Sequence, residues 1–200
     1  MGISLWLVPP RDVAAKLRVI MDMKTASYRS PSSFPHFEPH VTLCTVPSST
    51  EISELCSAIP KDQSVVPVTF KAVEVGPIYF MSVYATVHHK GELNALREAL
   101  KAKLGEKAIP PVSHVSLHYI DDSEPEERTK LFDQLREEGR IVDLGKDSVA
   151  LDCSLISPAA NSSQAKDLVS EFAGGEIWVA VCDGPVPTWK ISEKIALHSP

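Results

Sequence analysis

The sequence lacks the features that would commit it to a membrane, a secretory route or a long nucleic acid. No apolar run approaches the roughly 18 residues of a membrane span, and residues 1–10 carry no basic leader or cleavage site. The net charge of -6 argues against binding of long nucleic acid, which usually needs a basic surface. We expect a cytoplasmic protein, with peripheral association with an organelle such as the Golgi left open.

Cysteine pairs and metal-ligand clusters are also missing. The four cysteines lie far apart, with no Cys-x-x-Cys pair and no zinc-finger spacing. This pattern predicts reduced, mostly buried thiols. Carboxylates at metal-ligand spacing are absent around the motifs described next, so we expect no metal and no cofactor.

What the chain does contain is one short pattern twice. His40-Val41-Thr42-Leu43 and His114-Val115-Ser116-Leu117 each read as the start of a half-buried strand. Alternate side chains of a strand share a face, and residues two apart lie roughly 7 Å apart along it. Each stretch therefore offers an imidazole beside a hydroxyl, and two such pairs facing each other would form a phosphate site with an acid and a base.

The order of the predicted elements repeats as well. Residues 4–75 are predicted to form, in order, a strand, a helix, a proline-rich segment, the histidine strand, a helix and a strand. The same order is predicted for residues 78–157. We predict a single bilobal domain over residues 1–200, with strands within 176–197 completing the lobes. The fold class is α+β, with mostly antiparallel sheets flanked by helices and a central groove between two similar lobes.

Some elements are predicted at defined positions. Residues 78–88 are rich in valine and aromatic side chains and predict one continuous strand. Residues 91–104 carry leucines on one stripe and predict a helix. Residues 158–164 predict a loop, followed by a short helix to Phe172. The proline-rich tail around Trp189 allows one last strand.

The paired motif suits hydrolysis of a phosphodiester. One group must take a proton from the attacking water and another must give a proton to the leaving oxygen, and histidine does both near neutral pH. The hydroxyls of Thr42 and Ser116 could donate to the non-bridging phosphoryl oxygens. A single His-x-Thr is typical of an ordinary strand histidine, whereas two copies at equivalent points of a repeated chain favour catalysis.

On these residues the sequence resembles the 2H phosphoesterases, which are defined by two His-x-[Thr/Ser]-x motifs in a two-lobed domain. The match is closer to the plant and fungal cyclic phosphodiesterases. Four segments in the expected order carry it: Leu5-Trp6-Leu7-Val8-Pro9, Phe37-Glu38-Pro39-His40-Val41-Thr42-Leu43, His114-Val115-Ser116-Leu117-His118-Tyr119 and Trp178-Val179-Ala180-Val181-Cys182.

The resemblance implies a metal-independent hydrolase of the 2′,3′-cyclic-nucleotide 3′-phosphodiesterase type. Its substrates would be ADP-ribose 1″,2″-cyclic phosphate, a by-product of tRNA splicing, and nucleoside 2′,3′-cyclic phosphates, which it opens to 2′-phosphates. It implies His40 and His114 as catalytic residues and Thr42 and Ser116 as substrate contacts. We expect a monomer whose partner is a small cyclic nucleotide. Ser113 stands where a proline often precedes the second motif, which leaves substrate preference open.

The resemblance also implies that Trp6 and Tyr119 line the substrate site, where they could stack on a base or ribose. Both could equally be core aromatics of central strands. Tyr119 is an odd number of residues from His114, so only a bulge or a strand end would bring it into the groove. His118 has the same parity as His114, but we expect it to lie beyond the groove.

Two rival functions are retained. One is an RNA-end processor of the same superfamily, either 2′,5′-ligase-like or a 3′-exonuclease, against which the acidic balance counts. The other is a non-catalytic module that binds a nucleotide, although a pure binder needs no acid and base pair.

Overall fold

The computed structural model describes residues 2–155 and 166–198, which form eleven strands and four α-helices. The strands are β1 (Ile3–Val8), β2 (Val41–Val46), β3 (Val66–Val75), β4 (Val83–Val87), β5 (His114–His118), β6 (Ile141–Asp143), β7 (Val149–Asp152), β8 (Leu168–Val169), β9 (Glu171–Gly174), β10 (Glu176–Val181) and β11 (Lys190–Ala196). The helices are α1 (Arg11–Met21), α2 (Ile52–Ala58), α3 (Gly91–Leu104) and α4 (Glu126–Glu137).

Eight strands form one sheet in the order β11-β10-β1-β2-β5-β4-β3-β9, and their pairings are antiparallel. A smaller sheet has the order β6-β7-β8. The motif strands β2 and β5 are central neighbours, joined where Val41 pairs with Val115. This confirms the predicted α+β class with antiparallel sheets.

The two faces of the large sheet differ. Alternate residues such as Leu5, Leu7 and Val41 are fully buried in the main apolar core, which also contains buried leucines of α1, α3 and α4. Trp6 and Val8 belong to a separate, smaller cluster on the other face. Because strand side chains alternate, the motif residues on either side of Val41 project from that second face. We call it the open face.

A β-bulge lies in the first motif strand. Trp6 of β1 pairs with Thr42, but its neighbour Leu5 pairs with Cys44, so Leu43 is an extra residue in β2. Leu43 and Cys44 are both fully buried in the main core. A bulge of this kind shifts the alternation of the strand by one residue.

The second motif strand carries a bulge at the equivalent place. Tyr84 of β4 pairs with Ser116, but its neighbour Val83 pairs with His118, so Leu117 is the extra residue in β5. Leu117 and His118 are both buried. In each motif the histidine, the hydroxyl residue and the fifth residue after the histidine therefore share the open face: His40, Thr42 and Thr45 just before and in β2, and His114, Ser116 and Tyr119 in and after β5.

The predicted strand over residues 78–88 is wrong in its first part. Tyr79–Met81 form a 3₁₀ turn, and β4 begins only at Val83. The Ser82 hydroxyl donates to the carbonyl of Tyr79 at 2.8 Å, which stabilises the turn locally. A Cβ on Gly76 would lie 2.1 Å from the Met81 carbonyl oxygen, so this close approach of the turn requires glycine.

Predictions near the C-terminus have mixed outcomes. The short helix to Phe172 is wrong within the described residues, because β8 and β9 occupy residues 168–174. Pairing of β9 with β3 outweighs the local helical preference. The loop predicted over residues 158–164 lies outside the described residues. The last strand in the tail is confirmed as β11, and the helix over residues 91–104 as α3.

The predicted halves, residues 4–75 and 78–157, stay a prediction. Strand β3, from the first of these ranges, lies between β4 and β9 in space, while β10 and β11 extend the sheet beside β1. All four cysteines are free: Cys44, Cys153 and Cys182 are buried and Cys56 is half-buried. Within the described residues, no helix is long and apolar enough to cross a membrane.

Candidate active site

A cavity of about 320 Å³ lies on the open face above β2 and β5. All six residues predicted for the site line it: Trp6, His40, Thr42, His114, Ser116 and Tyr119. The other lining residues come from β1 and the residue before it, from β2, from the turn before β4, from the loop before β5 and from the C-terminal segment: Gly2, Ser4, Thr45, Ile78, Phe80, Met81, Pro110, Cys182 and Trp189.

The central strand pairing sets the arrangement of the two motifs. Val41 is paired with Val115 in antiparallel register. Because antiparallel strands run in opposite directions from such a pair, His40 comes opposite Ser116 and Thr42 opposite His114. Each imidazole therefore has the hydroxyl of its own motif along the strand and that of the other motif across it.

His40 is held in one tautomer at the more enclosed end of the cavity. Its Nδ1 lies 2.6 Å from the carbonyl oxygen of Glu38, which can only accept, so Nδ1 carries the proton and Nε2 is left for a ligand. The side chain is 4% exposed and its ring stacks on Trp6, with 3.8 Å between centroids and 11° between planes. Burial lowers the pKa of His40 to about 4, and the charge of His114 contributes to the lowering.

His114 repeats this hydrogen bond in a more open setting. Its Nδ1 lies 3.1 Å from the carbonyl oxygen of Val112, again leaving Nε2 for a ligand. The residue is half-buried, and its ring makes a T-shaped contact with Tyr84, with 5.1 Å between centroids and 61° between planes. Burial lowers the pKa of His114, while the bond to Val112 opposes that effect.

The two hydroxyl residues differ in their partners. The Ser116 hydroxyl donates to the carbonyl of Phe80 at 3.1 Å. Thr42 is half-buried, and its hydroxyl has no hydrogen-bond partner in residues 2–155 and 166–198. Thr42 is therefore free to donate to a ligand, whereas Ser116 must first give up an existing bond.

Trp6 and Tyr119 line the cavity but expose little of their rings. Each is 3% exposed. His40 covers one face of Trp6, and Phe37 stacks on Tyr119 with 4.1 Å between centroids and 11° between planes. The bulge at Leu117 turns Tyr119 onto the open face. Burial also raises the pKa of the Tyr119 hydroxyl.

Two aromatic side chains not predicted for the site offer more open surface. Phe80 is 42% exposed, and Trp189 is half-buried at 5.8 Å between centroids from it. Phe80 reaches the cavity through the 3₁₀ turn, and Trp189 through the return of the chain into β11. Neither placement depends on a sequence period, so no local signal could have identified them.

His118 lies on the core side of the sheet, as expected for a residue outside the groove. The bulge at Leu117 separates its orientation from that of His114. Its Nε2 donates to the carbonyl of Ile20 in α1 at 2.9 Å, and it is 1% exposed. Burial lowers the pKa of His118 to about 4, so it is neutral near pH 7.

The charge available in the cavity comes from its histidines. None of the side chains that line it is lysine, arginine, aspartate or glutamate. Among the residues that the structure describes, no group of three or more His, Cys, Asp and Glu could hold a metal ion. The lining offers two imidazoles, the hydroxyls of Ser4, Thr42, Thr45 and Ser116, and aromatic walls.

Comparison with known proteins identifies one family. A model described as cyclic phosphodiesterase-like protein matches residues 1–197 of this chain. No curated protein matches in a sequence search.

Solved structures with the same fold span the whole chain. Escherichia coli LigT complexed with NADP+ has a TM-score of 0.54 at 10% identity, covering 98% of this chain and 97% of LigT. The LigT complex with 3′-AMP gives 0.53 at 10% identity, with 98% of each chain covered. TT0787 of Thermus thermophilus gives 0.56 at 15% identity, covering 100% of this chain and 99% of TT0787. At these identities the likeness extends to the fold.

Proposed function

Because the chain belongs to the cyclic phosphodiesterase-like family, within the 2H phosphoesterases, we propose that it hydrolyses small cyclic phosphodiesters with two histidines as acid and base. One observation carries the proposal. Two His and hydroxyl pairs from adjacent antiparallel strands line one cavity, and each imidazole has Nδ1 bound to a backbone carbonyl and Nε2 left for a ligand.

The reaction uses the pair in one protonated and one neutral form. The neutral imidazole takes a proton from water as the water oxygen bonds to phosphorus, and the imidazolium gives a proton to the ribose oxygen that leaves. For a 2′,3′-cyclic phosphate opened to a 2′-phosphate, the leaving oxygen is O3′. Thr42, and Ser116 after release of the Phe80 carbonyl, donate to the non-bridging oxygens. Metal is not required in this scheme.

The size and lining of the cavity favour a small substrate. A volume of about 320 Å³ is at the lower end of small-molecule sites, and the lining lacks the lysines and arginines that track a nucleic-acid backbone. Phe80 and Trp189, with the edges of Trp6 and Tyr119, would contact the base or ribose. LigT is described in complex with NADP+ and with 3′-AMP, which supports nucleotide-sized ligands. The substrates we propose are nucleoside 2′,3′-cyclic phosphates and ADP-ribose 1″,2″-cyclic phosphate, the latter linking the protein to tRNA splicing.

Product analysis tests this proposal. The chelator-treated protein is incubated with a 2′,3′-cyclic mononucleotide and with ADP-ribose 1″,2″-cyclic phosphate. We expect hydrolysis of both with retention of activity, and a 2′-phosphate from the mononucleotide. Unchanged activity of a variant with both His40→Ala and His114→Ala would overturn the assignment of these residues. Loss of activity on chelation, restored by a divalent cation, would overturn the metal-free scheme.

Two further assays, with oligonucleotides and by calorimetry, separate the rivals. An RNA-end processor would act on oligonucleotides and bind them with a steep dependence on salt. A non-catalytic module would show binding of a cyclic nucleotide by calorimetry without any product.

A further inference from the structure

Trp6 and His40 form a face-to-face stack. The ring centroids are 3.8 Å apart and the planes differ by 11°, so one face of the indole is covered by the imidazole. Trp189 lies 5.8 Å from Trp6 at 54°, which restricts the remaining surface of the indole. With 3% of its surface exposed, Trp6 has little area left for a substrate base.

The environment of His40 makes this contact relevant to the proton. The ring is 4% exposed, and Nδ1 is bound to a backbone carbonyl instead of a carboxylate. The carboxylate of Glu38 is paired with Arg18. An indole face attracts a cation, and the attraction is larger where water is excluded.

We propose that Trp6 is a positioning residue for His40, whose indole face fixes the imidazole plane and stabilises the imidazolium that His40 forms during the reaction. This role rests on the proposed function, in which each histidine is protonated at one stage whether it acts as acid or base. His114 lacks such a stack, because its ring plane is inclined at 61° to that of Tyr84, with 5.1 Å between centroids.

Other titratable groups around His40 supply no compensating negative charge. His114, across the cavity, adds positive charge when protonated and lowers the pKa of His40. Tyr119 and Cys182 line the same cavity, but burial raises the pKa of both groups, so they are neutral near pH 7. The indole face is therefore the stabilising partner of the buried imidazolium, beside the Glu38 carbonyl.

The test changes the electron density of the indole while retaining its shape. Tryptophans with one, two and three ring fluorines are placed at position 6 of the full chain, and the His40 ring protons are titrated by NMR. We expect the pKa of His40 to fall stepwise with fluorination and that of His114 to stay constant. The matched control is the same fluorinated series at Trp189, which should leave the pKa of His40 unchanged.

Kinetics on a 2′,3′-cyclic mononucleotide give a second readout. We expect Trp6→Leu to lower kcat about 2-fold to 30-fold with KM nearly constant, the range expected for loss of a cation–π contact. Trp6→Phe should recover part of the rate. Trp189→Leu, which removes a ring we place against the substrate, should mainly raise KM.

Two results would overturn the proposal. A pKa of His40 that does not respond to fluorination would show that the indole does not stabilise the imidazolium. A Trp6→Leu variant with a raised KM and an unchanged kcat would make Trp6 a substrate platform instead. If the wild-type chain hydrolyses neither cyclic substrate, the proposed function fails, while the NMR titration still decides whether the stack stabilises the imidazolium.

Discussion

The two motif strands have almost the same backbone and different surroundings. In both motifs Nδ1 of the histidine is bound to the carbonyl two residues earlier, and both strands carry a bulge after the hydroxyl residue. His40 is nearly enclosed and stacked on Trp6, whereas His114 is half-buried and makes a T-shaped contact with Tyr84. The repeat therefore supplies matched geometry, and the neighbours make the two imidazoles electrostatically unequal.

The largest effects should come from removing either imidazole. We expect His40→Ala and His114→Ala each to lower kcat roughly 100-fold to 10,000-fold, because each would remove one of the two proposed proton-transfer groups. Steady-state kinetics on a 2′,3′-cyclic mononucleotide measure this, with unfolding curves to confirm that each variant folds. His36→Ala, at a side chain that is 83% exposed, is the matched control. If a variant of either motif histidine kept full activity, the proposal that both histidines take part in the reaction would be contradicted.

Removal of the Thr42 and Ser116 hydroxyls should lower kcat by different factors. Removing a donor to a developing negative charge costs roughly 100-fold in kcat, which we expect for Thr42→Val because its hydroxyl is free. Ser116→Ala should cost less, since this hydroxyl must first release the Phe80 carbonyl. Thr129→Val, at an exposed position of α4 away from the cavity, serves as the control. Equal losses at positions 42 and 116 would show that the Phe80 contact does not matter in the reaction.

The residues after the two bulges should differ in their effect on acid stability. His118 occupies the place that Cys44 has in β2, with a pKa lowered to about 4 in the folded protein against roughly 6.5 when unfolded. The unfolded chain therefore binds more protons between these values, and the stability contribution present above pH 6.5 is lost as the pH falls towards 4. We expect His118 to account for roughly 2 to 3 kcal/mol of the fall in the free energy of unfolding between pH 7 and 4.5.

Urea unfolding at the two pH values measures this contribution. His118→Cys copies the first motif and should reduce the fall by that amount. His118→Gln, which can still donate to the carbonyl of Ile20, covers the case in which the cysteine variant does not fold. An unchanged pH dependence in both variants would mean that His118 is not buried in neutral form.

The smallest effect should come from the ion pair behind the first motif. The Arg18 side chain pairs with the carboxylate of Glu38, and the backbone carbonyl of Glu38 accepts the hydrogen bond from His40 Nδ1. Val112, which accepts the equivalent bond from His114, has no charged side chain that could form such an ion pair. Both partners of the pair are 43% exposed, so we expect Arg18→Gln to change kcat less than about fivefold, with the difference vanishing at high salt. A larger loss that persists in high salt would indicate a direct role for Arg18.

The sequence predicted the fold class, the family and six residues that the structure brings into one cavity, whose roles stay predictions. These depend on a two-residue period and on a repeated pattern, both of which are local. The face of the sheet on which Tyr119 and His118 lie depends on a bulge, which is set by the pairing of β5 with β4. Simple alternation would have exchanged the faces of these two residues.

Features that depend on distant contacts were missed. Phe80 lies in a segment whose composition favours a strand, but Gly76 and Ser82 allow a turn instead. Residues 168–174 form strands because β7 and β3 offer free edges. The stack of His40 on Trp6 joins positions whose relation is set by the register of β1 against β2.

In each motif the bulge separates the histidine and the hydroxyl residue, which the two motifs share, from a third open-face residue, which differs between them. In each motif the first two open-face positions hold the imidazole and the hydroxyl, and the third lies beyond the bulge. This third residue is a threonine at position 45 and a tyrosine at position 119. We expect that exchanging this third residue would change the substrate preference without altering the strand register that aligns the proposed reacting groups.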